Sequence, residues 1–383
     1  MTSQIPKGWK RAKLGSVIDL VSGQHIQVDD CNADGRGVPY LTGPADFENG
    51  VIRSSKFTEV PQICCKAGDI LITVKGSGTG STVTADAEYC ISRQLMAVRA
   101  RNSDSAFIRF VLESHAATYN NISAGLIPGI ARDDVLNTRL AVPPIAEQQK
   151  IGALLAMWAD AIDKIEQLIA AKNQCLNHLR EHHLTKQNQF TRIKLKAATR
   201  ESTARNGKRL GREAIMAVTK QVGMRPMREE TIAAAIDRYK VVRPRAFAYN
   251  PMRLNIGSIA TSSFDDDVLV SPDYVVFECD EAKLLPGYLN HLRRTRHWAS
   301  HFEAAGSGGV RIRIYYDDLG AFAFPLPPLA EQERVLAVLD AGVTEIETLE
   351  SYLAALKKQK RGLMQKLLTG QWRVPVESKA VAA

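Results

Sequence analysis

One short sequence occurs twice in this chain, 184 positions apart, and it constrains the fold more than any other feature. The first copy is PPIAEQ at 143–148, and the second is PPLAEQ at 327–332. Continued without a gap, 143–187 and 327–371 are identical at 15 of 45 positions. A copied unit presents two related surfaces, so we expect an internally repeated fold and a partner with two related sites.

The repeat extends to the edges of two larger regions whose centres differ. The matching segments are 9–14 with 190–195, 107–125 with 288–306, and 130–135 with 314–319. In the centres, only a short stretch from Ile91 to Val98 resembles one from Val270 to Phe277. Shared edges around divergent interiors are expected if one scaffold carries two different recognition surfaces.

Each Pro-Pro pair is predicted to open a long helix. Proline sets an extended entry, and Glu147 and Glu331 fall in the first turn, where the helix dipole favours acids. Apolar residues then step by three and four, which is typical of a coiled coil. They are Ile151, Leu155, Trp158, Ile162, Ile165 and Ile169 in the first copy, and Val335, Leu339, Ile346, Leu349, Leu353, Leu356, Leu363 and Leu367 in the second. Helices of about 40 residues would be roughly 60 Å long. Lys172, Lys360 and Gly342 interrupt the apolar positions.

The remaining regions, 8–142 and 190–326, are predicted to be mixed domains. Short apolar runs bounded by Gly, Pro and Asp indicate strands at 69–74, 95–99, 274–277 and 311–314. One helix is expected in each domain, at 105–119 and 286–302. The small and polar residues after Trp372 are expected to fray.

The composition favours a globular protein with an anionic partner. Of 383 residues, 45% are hydrophobic and 24% charged, and no segment resembles a signal peptide or a membrane span, so we expect a cytoplasmic chain. The net charge is +9, and 188–230 alone hold 11 Lys or Arg against 4 Glu. The part at 196–230 has no clear counterpart in the first unit. Nucleic acid or a membrane surface could satisfy this charge. The six cysteines lack metal or disulfide spacing and are interpreted as structural thiols.

Several short motifs suggest chemistry without completing it. The glycine-rich stretch 76–82 has Lys75 before its glycines rather than after them, so it favours a turn that approaches a DNA backbone over a nucleotide site. Asn250-Pro251-Met252-Arg253 lacks the second proline and the aromatic residue of an amino-methyltransferase motif.

Two further patterns raise the possibility of a metal. Pro272-Asp273 with Glu281 and Lys283 formally satisfies a nuclease signature, which Asp265-Asp266-Asp267 could extend. His178 and His182 have metal-ligand spacing, but their counterparts in the repeat are Gly362 and Lys366. No nucleophile and base arrangement stands out. We therefore predict no catalytic or metal residue in this chain.

The combination resembles the DNA-specificity (S) subunit of type I restriction-modification systems. The motifs that carry the resemblance are the two Pro-Pro segments with their helices, GWKRAKLG at 8–15, GDIL at 68–71 and SPDY at 271–274. The resemblance implies an α+β fold with two α/β target recognition domains, separated by two long antiparallel coiled-coil helices in a pseudo-two-fold repeat. The implied boundaries are 1–142 and 190–326 for the recognition domains, 143–189 and 327–371 for the spacer helices, and 372–383 for a flexible tail.

The resemblance also implies the partners. Each domain would read one half of a bipartite site in double-stranded DNA, and the helices would dock two methyltransferase (M) subunits. Restriction/translocase (R) subunits would complete the complex. S-adenosylmethionine, ATP and Mg would bind to the partner subunits, and this chain would have no cofactor and no active site.

Residue type and loop position indicate which side chains contact the partners. Arg, Lys, Asn, Gln and Ser are suited to phosphates and base edges. The DNA-binding candidates are Lys75, Ser77, Thr79, Arg93 and Gln94 in the first domain, and Arg245, Asn250, Arg253, Asn255, Ser258, Arg311 and Arg313 in the second. The subunit-contact candidates are Glu147, Gln148, Trp158, Glu331 and Gln332.

Three alternatives remain open at the level of the sequence. The chain could be the specificity part of a related type II enzyme with a split target. It could be a metal-dependent nuclease that uses Asp273 and Glu281. It could also be a scaffold protein whose basic segment is incidental.

Overall fold

The computed structural model describes residues 5–48, 50–76, 78–122, 129–220, 223–304 and 313–375, with only the main chain at 48 and 304. The chain divides into two units. The first unit combines residues up to Gln167 with those from Ser351 onward, and the second unit is Leu168–Glu350. Each long helix therefore contributes one part to each unit.

The described residues contain seven α-helices. They are α1 (Ser105–Ile122), α2 (Arg132–Leu136), α3 (Ile145–Thr185), α4 (Pro286–Leu292), α5 (Arg296–Ala304), α6 (Tyr316–Gly320) and α7 (Leu329–Leu368). Helices α3 and α7 span 41 and 40 residues, which confirms the long helices predicted after each Pro-Pro pair. Within the described part of the chain, no helix is long and apolar enough to span a membrane.

The strands are short and numerous. Those of the first unit are β1 (Lys10–Lys13), β2 (Ile18–Ser22), β3 (Cys31–Asn32), β4 (Val38–Leu41), β5 (Phe47–Glu48), β6 (Val51–Ile52), β7 (Phe57–Thr58), β8 (Cys64–Cys65), β9 (Ile70–Thr73), β10 (Thr82–Thr84), β11 (Tyr89–Ile91), β12 (Leu95–Ala100) and β13 (Arg139–Val142). Those of the second unit are β14 (Arg192–Lys194), β15 (Thr199–Ser202), β16 (Met216–Thr219), β17 (Gly223–Pro226), β18 (Lys240–Val242), β19 (Phe247–Tyr249), β20 (Ile259–Thr261), β21 (Val268–Val270), β22 (Val275–Cys279) and β23 (Ala323–Pro325).

Both units are built on the same four-stranded sheet. Its order is β10-β9-β12-β2 in the first unit and β20-β19-β22-β15 in the second, and all neighbouring strands are antiparallel. A two-stranded ribbon joins the ends of each domain, β1 with β13 and β14 with β23. The mixed α/β fold class with an internal repeat is thus confirmed.

The interiors of the two units differ, as the sequence predicted. The first unit holds an additional sheet of order β3-β7-β4-β11-β8, in which β4 and β11 are parallel. The second unit holds two antiparallel pairs instead, β16 with β17 and β18 with β21. The same framework therefore carries two different inserts.

The apolar run at β9 reflects burial on both faces of the sheet. Ile70 and Ile72 pack into the core that contains helix α1, whereas Leu71 packs into the core beneath the insert. A strand covered on both sides is continuously apolar rather than alternating. Complete burial of one such side chain stabilises the fold by roughly 1.5–3 kcal/mol.

Within each unit the two long-helix segments run antiparallel. In the second unit Lys172 pairs with Glu345 at 2.8 Å, and Leu176 lies against Gly342, where a Cβ atom would meet its Cδ1 at 3.2 Å. In the first unit Glu166 pairs with Lys357 at 2.6 Å. The interruptions expected from Lys172 and Gly342 are thus contacts between the helices.

Three sequence predictions need correction. The single helix predicted at 286–302 is two helices, because the Thr295 hydroxyl donates to Leu292 O at 2.7 Å and accepts from the Trp298 N–H at 3.2 Å. The strand predicted at 311–314 is absent at 313 and 314, and its other residues lie outside the described ranges. Arg373, expected to fray, pairs with the Glu147 carboxylate at 2.6 Å.

Candidate nucleic-acid interface

The first unit brings two predicted DNA-binding segments together at one end of its sheet. The segment 74–81 connects β9 to β10, and the turn at 92–94 leads into β12. The Val74 N–H donates to Gln94 O at 2.8 Å, so these connections are directly linked. Lys75, Arg93 and Gln94 are exposed there, and Ser77 lies outside the described residues.

Two buried hydroxyls fix the shape of this end. The Thr79 hydroxyl donates to Gly76 O at 2.7 Å, and Ser92 donates to Thr42 O at 2.6 Å. Thr79 is 2% exposed, so we reassign it from DNA contact to support of the loop. A Cβ atom on Gly43 would lie 2.5 Å from Gln94 Oε1, so a larger residue there would displace the Gln94 side chain.

The second unit places most of its predicted residues in the equivalent connection. The segment 250–258 joins β19 to β20, as 74–81 joins β9 to β10. Its first turn forms because Asn250 Oδ1 accepts the Met252 N–H at 3.0 Å and Asn250 O accepts the Arg253 N–H at 2.9 Å. Arg253 and Asn255 are exposed, while Asn250 is half-buried.

The same main-chain bond secures the connection in both units. The Ile130 N–H donates to Val74 O at 2.9 Å, and the Ile314 N–H donates to Pro251 O at 3.0 Å. This second bond places exposed Arg313 beside the 250–258 connection. Arg311 lies outside the described residues.

Two candidates of the second unit need reassignment. Ser258 is buried, and its hydroxyl donates to Val218 O at 3.0 Å, which ties the connection to β16. Arg245 lies before β19, at the opposite end of that strand from Asn250, and pairs with Glu281 at 2.9 Å. Five extended residues span roughly 16 Å, so Arg245 is outside the cluster.

The geometry separates the residues of the nuclease signature. Asp273 precedes β22 and Glu281 follows it, and the intervening strand alone spans roughly 13 Å. Glu281 is paired with Arg245, and Lys283 with Asp280 at 2.9 Å. A metal ion needs ligands about 2 Å away, so these carboxylates cannot share one. Within the described ranges, no group of three metal-binding side chains occurs.

Three of the five predicted subunit-contact residues face inward. Gln148 Oε1 accepts the Asp104 N–H at 3.0 Å and its Nε2 donates to Pro143 O at 2.8 Å, while Gln332 makes the same bonds to Leu285 and Pro327 at 2.9 Å each. These side chains are 2% and 0% exposed. We reassign both from partner contact to fastening each helix onto its own domain.

Glu147 is also internal, at 1% exposure, whereas Glu331 is not fully buried. Trp9 Nε1 donates to Glu147 Oε2 at 3.0 Å, and Arg373 donates to both oxygens at 2.6 and 2.8 Å. Burial opposes the charge, but the bonds from Arg373 and Trp9 outweigh it and hold the pKa of Glu147 below its usual range. Trp158 is partly exposed.

The helices expose apolar residues that the sequence analysis did not select. Leu168 and Tyr352 occupy equivalent positions of the repeat and are 41% and 54% exposed. Met157 and Val338 are also exposed. The signal was present in the sequence, since these residues lie off the apolar seam, where a solvated helix is normally polar.

Residues 6–176 match the family model described as type I restriction modification DNA specificity domain. A protein of Methanocaldococcus jannaschii, named as specificity subunit of type I restriction enzyme MjaX, is 27% identical over 185 residues. The match covers 46% of this chain and 43% of that protein, so it spans less than half of each.

Solved structures extend the likeness in fold. The type I restriction-modification S subunit from M. genitalium superposes with a TM-score of 0.58 and 12% identity, over 99% of this chain and 98% of that one. A chain from a structure concerned with complex assembly and conformational transition of the type I R-M system has a TM-score of 0.58 and 16% identity, over 96% and 100%. Residues 6–176 are therefore similar to the type I restriction-modification DNA specificity domain, and the chain resembles the specificity subunits of these systems in fold.

Proposed function

We propose that this chain is the sequence-specific DNA-binding subunit of a type I restriction-modification complex. Each recognition domain, at 1–142 and 190–326, reads one half of a bipartite target. The helices within 143–189 and 327–371 dock methyltransferase subunits. The chain itself is non-catalytic and acts in the cytoplasm.

One observation carries the proposal. The connections 74–81 and 250–258 occupy the same place in two copies of one sheet, yet they present different polar side chains. Lys75, Arg93 and Gln94 are exposed in the first unit. Two equivalent sheet ends that expose different polar side chains are suited to two different DNA half-sites.

The exposed side chains have the chemistry that base reading needs. Arg forms bidentate bonds with guanine, and Asn or Gln with adenine, in the major groove. Arg93, Gln94, Arg253 and Asn255 are therefore the proposed base readers, and Lys75 and Arg313 the proposed phosphate contacts. Thr79 and Ser258 support these loops, and Arg245 is excluded from the contact set.

The docking of partners is supported by the repeat in the helices. Leu168 and Tyr352 present exposed apolar surface at equivalent positions, so two identical methyltransferase subunits would find two related surfaces. Restriction/translocase subunits complete the assembly. S-adenosylmethionine, ATP and Mg bind to the partners, because the catalytic chemistry is theirs.

Reconstitution with the methyltransferase subunit tests the proposal. The pair is expected to methylate adenine at one bipartite sequence, and the chain alone is expected neither to methylate nor to cleave DNA. Mapping of methylated adenines on a random-sequence library measures this. Cleavage by the isolated chain with magnesium would contradict the proposal. Cleavage close to the methylated site, with no requirement for ATP, would instead identify the related type II enzyme.

Domain exchange tests the division of the target. Replacing residues 190–325 with those of another specificity subunit is expected to change one half of the methylated sequence and leave the other half intact. Each connection is held by bonds within its own unit, which is why the halves are expected to be independent. A change in both halves would contradict separate reading heads.

A further inference from the structure

A groove of about 910 Å³ lies within the first unit. It is on the side away from the segments 74–81 and 92–94, which are called the reading loops of this unit, as 250–258 is called the reading loop of the second unit. The groove is bounded by the ribbon of β1 and β13, by helix α1 and by the C-terminal part of α7. Its floor is apolar and is formed by Ala12, Val111, Leu140, Met364 and Leu368. The volume is within the range of roughly 300–1,000 Å³ that ligand sites occupy.

The rim of the groove is basic. Arg11, Lys13, Arg139 and Arg361 line it together with His115, and no Asp or Glu is present among its lining residues. The nearby carboxylate of Glu113 is already paired with Lys360 at 2.8 Å. An apolar floor within a cationic rim has the complementarity expected for an acidic, amphipathic segment.

The position of the groove disfavours DNA as its occupant. In β2, Ser22 pairs with Met96 near the turn at 92–94, whereas Ile18 pairs with Ala100 at the other end. Lys13 precedes Ile18 and therefore lies at the end away from the reading loops. An apolar floor also offers nothing to a phosphate backbone, which is recognised by charge and hydrogen bonds.

Charged side chains occupy the equivalent place in the second unit. Arg180 and Glu181 occupy the repeat positions of Met364 and Gln365. A Glu181 oxygen accepts the main-chain N–H of Arg296, which is the counterpart of His115. The charged side chains of the second unit therefore lie where the first unit is open.

We propose that the groove of the first unit binds an acidic, amphipathic segment of the methyltransferase subunit. This inference rests on the proposed docking function and makes it unequal, because charged side chains occupy the equivalent place in the second unit. The segments 1–4 and 376–383 are poor occupants, since the first holds no acid and the second holds one Glu and one Lys. The partner on the first unit therefore gains a contact that the partner on the second does not have.

Charge reversal in the full complex tests the inference. In Lys13→Glu/Arg139→Glu/Arg361→Glu, one of the two methyltransferase subunits is expected to bind at least tenfold more weakly, and the other is expected to bind as before. Native mass spectrometry across a concentration series measures both steps. Lys66→Glu is the matched control, because Lys66 is exposed in the same unit and does not line the groove.

A second variant tests the groove without reversing the positive charges of its rim. His115→Arg/Gln365→Glu copies the second unit's residues into the first and is expected to weaken the same step. Unchanged binding by both variants would overturn the inference and leave the proposed function standing. If the wild-type chain binds no methyltransferase subunit, the docking function fails and this inference fails with it.

Photocrosslinking identifies the occupant. With p-benzoylphenylalanine in place of Gln365, irradiation of the complex is expected to link this position to an acidic segment of the methyltransferase subunit. A crosslink to DNA, to a second copy of this chain or to its own terminal residues would overturn the inference, and so would no crosslink within an assembled complex.

Discussion

The two units use opposite chemistry where helix and domain meet. In the second unit His291 Nε2 lies 2.8 Å from Asp340 Oδ1, and Arg180 Nε donates to His291 Nδ1 at 3.2 Å. The repeat places Phe110, Ala156 and Met364 at these positions in the first unit, where Phe110 and Met364 belong to the apolar core and Ala156 packs against it. One scaffold thus tolerates either a polar or an apolar junction.

The polar junction has a defined protonation state. The guanidinium of Arg180 only donates, so Nδ1 of His291 accepts, and a neutral ring carries its proton on Nε2 and donates it to Asp340. Burial, aided by the charge of Arg180, outweighs the Asp340 bond and lowers the pKa of His291 below 6.5. Burial also lowers the pKa of Arg180 to about 10. The comparison therefore predicts that the two units respond differently to substitution and to acid.

Removal of the acid at each helix start has the largest expected effect. Glu147→Ala leaves buried Trp9 without its acceptor and removes both bonds from exposed Arg373, and it is expected to destabilise the first unit by about 2–3 kcal/mol. Glu331→Ala is the matched control, because its 3.0 Å pair with exposed Arg334 is worth less than about 1 kcal/mol. Native-state hydrogen exchange in α1 and α4 measures each unit. Equal losses of stability in the two units would contradict the expected difference between Glu147 and Glu331.

The next test concerns the sizes of the two residues that pack together where the long helix meets its domain. A Cβ atom on Gly152 would lie 2.6 Å from Asp104 Oδ1 and 3.0 Å from Ala106 Cβ. In the second unit, Leu336 takes the place of Gly152 and Gly287 takes the place of Ala106, so the large residue is on the helix and the small one on the domain. Gly152→Ala is expected to cost about 1–3 kcal/mol through overpacking.

Gly287→Ala is its counterpart, since the added methyl would meet only the movable Leu336 side chain at 3.2 Å, and it is expected to cost under about 1 kcal/mol. Urea unfolding monitored in each unit measures both. Gly152→Ala/Ala106→Gly should recover part of the loss. Failure to recover would point to Asp104 or to the main-chain N of Phe107, also 3.0 Å away, rather than to Ala106 as the limiting neighbour.

The reading loops offer a comparison in DNA affinity. Arg253→Ala is expected to weaken binding by about 1–3 kcal/mol and to relax preference in one half-site only, while Arg93→Ala should do the same for the other half. Arg245→Ala is the control, because Arg245 lies at the far end of β19 and pairs with Glu281. Titration of the reconstituted complex against variant targets measures this. A uniform loss across sequences would show phosphate contact instead.

The sequence predicted the repeated framework because its signals are local. Pro-Pro-x-Ala-Glu-Gln marks a helix start, and the mainly apolar run that follows Asp69 marks a strand. It did not predict that Gln148 bonds to Asp104, or Gln332 to Leu285, because those partners are over 40 residues away. The same holds for Ser258, whose acceptor lies on another strand. Tertiary contacts decide which polar residues of a loop face solvent.

Lowering the pH is the most specific test of the polar junction at His291, and it has the smallest expected effect on stability. A His whose pKa is lowered on folding stabilises the fold fully above its unfolded value of 6.5, and this contribution is lost as the pH falls below that value. The second unit also contains His183 and His301 with pKa values lowered by burial. The second unit should therefore lose stability as the pH falls below about 6.5. The first unit should hold, because Glu147 keeps its charge below its ordinary pKa of 4.5.

Replacing the polar junction of the second unit with the residues of the first isolates the contribution of His291 to the acid response. Arg180→Met/His291→Phe/Asp340→Ala should be as stable as the wild type or more so at pH 7.5, because it removes buried Arg180 and His291 together with their exposed partner Asp340. Apolar replacement of a whole set of buried polar partners is often neutral or stabilising. Its advantage should grow as the pH falls below 6.5, while exchange in α1 stays unchanged. The shallower slope must be confined to α4 and the adjoining part of α7. Parallel pH profiles for variant and wild type would mean that His291 does not link this junction to protons, and that His183 or His301 carries the acid response of the unit.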